Sequence, residues 1–273
     1  MKTHANLTTD NELFTSTLEN GVLVIRKKRH MLHVAKDIAS VFSFYEYLES
    51  MLASRAFKAL VVFGHPGEAG QLAHGRFLCK ALSASREKAM DMLINVVNKF
   101  MLTLSALNSV TVYAGRGTMS LFNLNLGLAY DYRLAADDTV IENPNAALGI
   151  VTKGSGYFMP RLLGVRKATE VLQWKSFSAE EALQLGLIDR IVPAARLEQE
   201  TIEFVAQNLA GSPSNLLAIR KLLKCDLQEL ERSLQLEDHL IKERLESPDF
   251  RQTFAEHCRK TYGCDMEALL ASE

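Results

Sequence analysis

Val110-Thr111-Val112-Tyr113-Ala114-Gly115-Arg116-Gly117-Thr118-Met119-Ser120-Leu121-Phe122-Asn123-Leu124-Asn125-Leu126-Gly127 is the stretch whose reading decides the fold. Val110 to Tyr113 is a short apolar run, as expected of a strand buried on both faces. Gly115-Arg116-Gly117 then turns the chain into an apolar helix, predicted over Leu121 to Tyr130. Backbone amides at such a helix start point outward with partial positive charge and can hold an oxyanion. A glycine pair that only makes a tight turn is the alternative reading.

The same alternation extends outward. Leu13 to Leu18 and Val22 to Arg26 flank Glu19-Asn20-Gly21, and Asn-Gly suits a tight hairpin turn. A helix is predicted from Asp37, with Ile38, Val41, Phe42, Tyr45, Leu48 and Leu52 at helical spacing. Ala59 to Phe63 reads as another buried strand, Gly64 to Gly75 as a loop, and about Ser85 to Leu107 as a long amphipathic helix. Tyr132 to Ala135, Thr139 to Ile141 and Asp189 to Val192 read as further strands. Strands alternating with helices imply crossover connections and a largely parallel sheet, hence an α/β fold. From Gly154 the chain reads as almost wholly helical, with a capping box at Ser178 and Glu181 and a helix start at Ser247-Pro248.

Composition narrows the function. The 273 residues carry 31 Lys+Arg against 32 Asp+Glu, a net charge of -1, which gives no bulk attraction to nucleic acid or membrane surfaces. No apolar run is long enough to span a bilayer, and the polar N-terminus lacks the apolar stretch of a secretory signal. Cys79, Cys225, Cys258 and Cys264 have no CxxC spacing and read as reduced thiols of a cytoplasmic protein, with no metal site. Gly115-x-Gly117 lacks the third glycine or following lysine of nucleotide cradles, and no HExxH or GxSxG occurs.

An ordered set of short motifs resembles the crotonase (enoyl-CoA hydratase/isomerase) superfamily. It comprises Arg116 to Asp131, Arg133-Leu134-Ala135-Ala136, Pro144, Leu148-Gly149, Gly154-Ser155-Gly156, Pro160-Arg161-Leu162-Leu163-Gly164, Ala168, Ala182-Leu183, Gly186-Leu187-Ile188-Asp189 and Val192-Pro193. Together these cover about half of the chain. The resemblance implies a crotonase-like spiral of β-β-α repeats over residues 1–192 and a C-terminal helical region over 193–273 that closes the acyl pocket and mediates assembly. It implies a homotrimer or hexamer, an acyl-CoA or acyl-carrier thioester as ligand, and no tightly bound cofactor. The thioester carbonyl would lie between two backbone amides that stabilise an enolate.

Carried over residue by residue, one oxyanion amide falls at Gly70 or Gln71 and the other at Phe122. A phenylalanine there narrows or reshapes a pocket that is glycine-rich in hydratases. The two hydratase glutamates correspond to Asn125 and Asn145, and an amide cannot accept a proton at an accessible pKa. Ordinary two-carboxylate hydration is therefore not expected. Lys153 stands where the family faces the acyl chain; it reads as a base with a depressed pKa, as a grip for a substrate carboxylate, or as a surface lysine at a helix start. His74 follows the oxyanion loop within reach of the pocket, or is simply solvated. Arg26, Lys27 and Lys28 correspond to the region near the CoA phosphates, with a solvated basic edge as the alternative. Three functions stay open: a non-standard enzyme on a thioester, a non-catalytic acyl-CoA binder, and a scaffold.

Overall fold

The computed structural model describes residues 7–34, 38–65, 71–82, 86–209, 213–223 and 226–271. In chain order the strands are β1 (Thr9–Asp10), β2 (Phe14–Glu19), β3 (Val22–Lys27), β4 (Ala59–Phe63), β5 (Val110–Gly115), β6 (Thr118–Ser120), β7 (Tyr132–Ala136), β8 (Val140–Glu142), β9 (Ser176–Ser178) and β10 (Arg190–Val192). The helices are α1 (Met31–Val34), α2 (Ile38–Ala53), α3 (Gln71–Ala81), α4 (Arg86–Ala106), α5 (Leu121–Gly127), α6 (Ser155–Val171), α7 (Ala179–Gln184), α8 (Leu197–Leu209), α9 (Pro213–Leu222), α10 (Leu227–Glu246), α11 (Phe250–Tyr262) and α12 (Met266–Ala271).

Seven strands form one sheet in the order β1-β2-β3-β4-β5-β7-β10, and β6, β8 and β9 form a second. β2 and β3 make the expected hairpin, with Glu19 opposite Val22 and positive φ at Asn20 (51°) and Gly21 (75°). From β3 to β10 every pairing in the large sheet is parallel. Both faces are covered at the centre of the sheet, which is why β4 is apolar throughout and β5 nearly so. Leu60 and Val62 point to a core shared with α2, α4 and α5, whereas Ala59, Val61 and Phe63 point to one shared with α8.

A third hydrophobic cluster lies apart from the sheet. It joins Leu78 and Cys79 of α3, Met90 and Ile94 of α4, Ile241 and Leu245 of α10, Phe250, Phe254 and Cys258 of α11, and Leu269 of α12. α4 bridges the two regions, because its later residues Val96, Val97, Phe100 and Met101 belong to the sheet core.

The structure corrects several sequence expectations. The expected loop to Gly75 turns helical at Gln71, because the apolar face of α3 packs on the distant tail. β5 does not run straight into a helix; β6 intervenes and pairs with β8. The segment after Gly154 contains β9, which extends the second sheet. α6 bends at Gly164 (φ 73°). The Ser178/Glu181 capping box is present, but Ser247 ends α10 and Asp249 begins α11, so Ser247-Pro248 is not a helix start. On α2, Ile38 and Phe42 face outward while Phe44, Leu48 and Met51 are buried.

Candidate functional site

Two adjoining cavities open where α1, α3, α5 and the 143–153 segment meet. The smaller, about 10 Å³, is lined by Leu32, His74, Ser120, Phe122, Asn143, Pro144, Asn145 and Thr152. The larger, about 60 Å³, shares Leu32, His74, Phe122 and Asn145 and adds Lys153 at one side. Its remaining wall is apolar: Phe77, Leu78, Met90, Leu93, Ile150, Val151, Ile241 and Leu245. Four residues singled out from sequence, His74, Phe122, Asn145 and Lys153, therefore face one space.

Phe122 is the second residue of α5. Ser120 caps that helix and accepts from the Asn123 amide at 3.2 Å, so the Phe122 amide is one of the donors that a helix start leaves without an intrahelical partner. Gln71 opens α3 and presents its amide in the same way, three residues before His74. Gly70 lies outside the described residues.

His74 is enclosed enough that desolvation lowers its pKa to about 4, although contact with Asn145 opposes the shift. Among the described residues, its Nδ1 and the Oδ1 of Asn145 have no well-formed hydrogen bond. Buried polar atoms in this state are costly unless something occupies the site. The Asn145 Nδ2 donates to Thr152 Oγ1 at 3.4 Å, and the Asn143 Nδ2 to the Leu172 carbonyl at 2.8 Å. An imidazole whose folded pKa lies below its unfolded 6.5 destabilises the fold as pH falls from about 6.5 to about 4 and not above. Urea unfolding of His74→Phe should lack up to about 3 kcal/mol of the wild type's acid loss across that window. An identical acid loss in both proteins would place the ring in water.

Asn125 is fully buried but does not line either cavity. Its Nδ2 donates to the Lys153 carbonyl at 3.2 Å, behind the 152–154 turn.

Lys153 is not the surface lysine that a helix start allows; it is 6% exposed. Its Nζ donates to the Leu234 carbonyl at 2.7 Å and to Asp238 Oδ1 at 2.5 Å, with Glu237 Oε2 at 3.7 Å. Burial pushes its pKa down, and Asp238 and Glu237 oppose that push. Glu237 also accepts from the Gly154 and Gly156 amides at 2.7 and 2.5 Å, capping α6. Burial raises the Glu237 pKa against the pull of Lys153 and these amides. The ammonium thus has two acceptors and a second carboxylate beside it, all from α10. Sequence spacing held no signal for this cluster, since its partners are more than 80 residues away.

The basic stretch is engaged locally. Arg26 forms a two-pronged pair with Glu198 at 3.1 and 3.0 Å. Lys28 pairs with Asp10 and donates to the Asn11 carbonyl. The Lys27 ammonium lies over the Tyr113 ring, 5.6 Å from its centre. None of the three lines the two cavities.

The enoyl-CoA hydratase/isomerase family model matches residues 17–263. The chain belongs to that family. Solved structures agree on the fold of this crotonase. The enoyl-CoA hydratase from Bacillus halodurans superposes with a TM-score of 0.76 at 20% identity, covering 89% of this chain and 98% of that one. The enoyl-CoA hydratase/isomerase from Pseudoalteromonas atlantica T6c gives 0.72 at 19% identity, covering 91% and 97%. The enoyl-CoA hydratase from Mycobacterium avium subsp. paratuberculosis gives 0.69 at 22%, covering 90% and 96%. At these identities the likeness establishes the α/β crotonase fold with two sheets and C-terminal helices. Among the described residues no helix is long and apolar enough to cross a membrane.

Proposed function

We propose that this crotonase binds an acyl-CoA or acyl-carrier thioester, with the carbonyl oxygen between the Gln71 and Phe122 amides and the acyl group along the apolar wall from Phe77 to Leu245. The observation that carries the reading is the convergence of His74, Phe122 and Asn145 on one cavity at two helix starts. The bound oxygen is the atom that gains charge when a thioester enolises, so amides fixed beside it act on the transition state. No cofactor is needed for this chemistry.

No Asp or Glu lines either cavity among the described residues. That supports Asn125 and Asn145 standing in place of the hydratase glutamates, and hydration of crotonyl-CoA is not expected. Lys153 is held by two carboxylates rather than offered to substrate, and a substrate carboxylate would meet Asp238 and Glu237. The remaining proton carrier is His74. At a pKa of about 4 it is neutral in ordinary buffers and weakly basic, so the amides supply the larger share of any acceleration. The second reading, a non-catalytic binder, is favoured by the fully engaged Lys153.

One experiment separates the two. Butyryl-CoA in D₂O, followed by proton NMR, should lose its α-proton signal in the presence of the protein, and His74→Gln should slow that loss about 10²–10⁴-fold. Binding without exchange would select the binder; no binding of any CoA thioester would remove the site.

The helical region 193–273 is proposed to close the pocket and to mediate self-association. Leu222 and Leu223 on and just after α9 are 82% and 76% exposed, and Leu236 on α10 is 59% exposed. Leu223 also lines a cleft of about 600 Å³ between α6, α9 and the start of α10. Light scattering should give a trimer or hexamer; a strict monomer at micromolar concentration contradicts it. With balanced charge and these exposed leucines, the proposed partner is another copy of this chain, in the cytoplasm, and Arg26, Lys27 and Lys28 remain the proposed contacts for the CoA phosphates.

A further inference from the structure

Gly75 sits inside α3, and its φ is not in the left-handed region. A glycine there sacrifices about 1 kcal/mol of helix propensity relative to alanine, and backbone freedom does not explain it. Space does. A Cβ at Gly75 would stand 2.6 Å from Tyr262 Oη and 2.7 Å from Cε2 and Cζ. Neighbouring positions on the helix split the work: His74 lines the cavities, while Gly75 meets the C-terminal tail.

The Tyr262 ring is not a loose end. It is half-buried and set edge-on to His257, with centroids 5.7 Å apart and planes at 83°. His257 stacks on Phe254 at 6.5 Å, and Phe254 stacks on Phe250 at 6.1 Å with an interplanar angle of 2°. Phe250 and Phe254 are completely buried. Four rings thus form a column along α11 that begins in the tail's core and ends on Gly75.

We propose that Tyr262 is a positioning residue. Its ring against Gly75 sets how far α3 stands from the start of α5, and with it the gap between the Gln71 amide and His74 on one side and the Phe122 amide on the other. The inference rests on the thioester reading for its consequence, but not for its geometry.

Two readouts test it on the full-length protein: butyryl-CoA affinity by calorimetry, and the His74 ring titration by NMR without ligand. The other titratable groups facing His74 are His257 and, across the larger cavity, Lys153. Gly75→Ala should weaken butyryl-CoA binding about tenfold and raise the His74 pKa, as α3 lifts and water reaches the ring. Tyr262→Ala should weaken binding about threefold and also raise that pKa. The double variant should be no worse than Tyr262→Ala, because contacting residues couple by amounts of this size. Tyr262→Phe keeps the plate and should match wild type in both readouts. Strictly additive losses, or a Gly75→Ala protein with unchanged affinity and titration, would overturn the proposal. Should Gly75→Ala not fold, the contrast between Tyr262→Ala and Tyr262→Phe decides: equal behaviour of the two overturns it. If wild type binds no butyryl-CoA, the thioester reading fails, and the His74 titrations alone still decide the positioning role.

Discussion

Lys153→Met is expected to lower the free energy of unfolding by about 3–5 kcal/mol, the usual consequence of removing one partner from a buried ion cluster. Methionine nearly matches the lysine stem in volume, so the loss comes from charge and not from a void. Glu237 and Asp238, with side chains 5% and 16% exposed, would lose the ammonium that pairs with both of them. Among the described residues, Asn98, donating to Asp238 at 2.8 Å, and the Gly154 and Gly156 amides, donating to Glu237, would still hold them, with the Lys242 charge acting on Asp238. Urea unfolding at neutral pH measures the effect. Adding Glu237→Gln and Asp238→Asn should recover much of the loss, since the orphaned charges then disappear. A stable Lys153→Met protein that has lost only α-proton exchange would instead restore lysine as the base.

Phe254→Ala should cost a similar amount, about 3–5 kcal/mol, the range for truncating a fully buried aromatic. Phe254 has no exposed surface and touches the cluster that unites α3, α10, α11 and α12. The loss should be spatially selective. Amide hydrogen exchange should accelerate in α3 and α11 well before β4 and β5, because the sheet strands belong to other clusters. Uniform acceleration over all strands would mean that the tail and the sheet form one cooperative core.

The sheet was legible because its strands are buried on both faces, which leaves an unmistakable run such as Ala59 to Phe63. The hairpin at Asn20-Gly21 and the Ser178/Glu181 box were legible because their chemistry is local. α3 was not, since most of the apolar partners of Phe77, Leu78 and Cys79 lie on helices over 160 residues later. β6 and β9 are three residues each, too short for periodicity to show. The site divides along the same line. His74, Phe122 and Asn145 could be brought together by resemblance, and Lys153 joins them at the larger cavity. What Lys153 does there depends on Glu237 and Asp238, which only the folded chain supplies.

The seam between the sheet and the tail cluster also orders events while the chain is being made. Once residues up to β10 have left the ribosome, every strand of both sheets is present. At that moment α3 has no Phe250, Phe254 or Cys258 to lie against, and Lys153 has neither of its carboxylates. A nascent crotonase that ends just after β10 would hold its scaffold yet expose the apolar face of α3 and leave Lys153 without the α10 groups that cover and pair it. The cavity wall is completed only when α10 emerges with Ile241 and Leu245, and a chain stalled before that point is a client for chaperones.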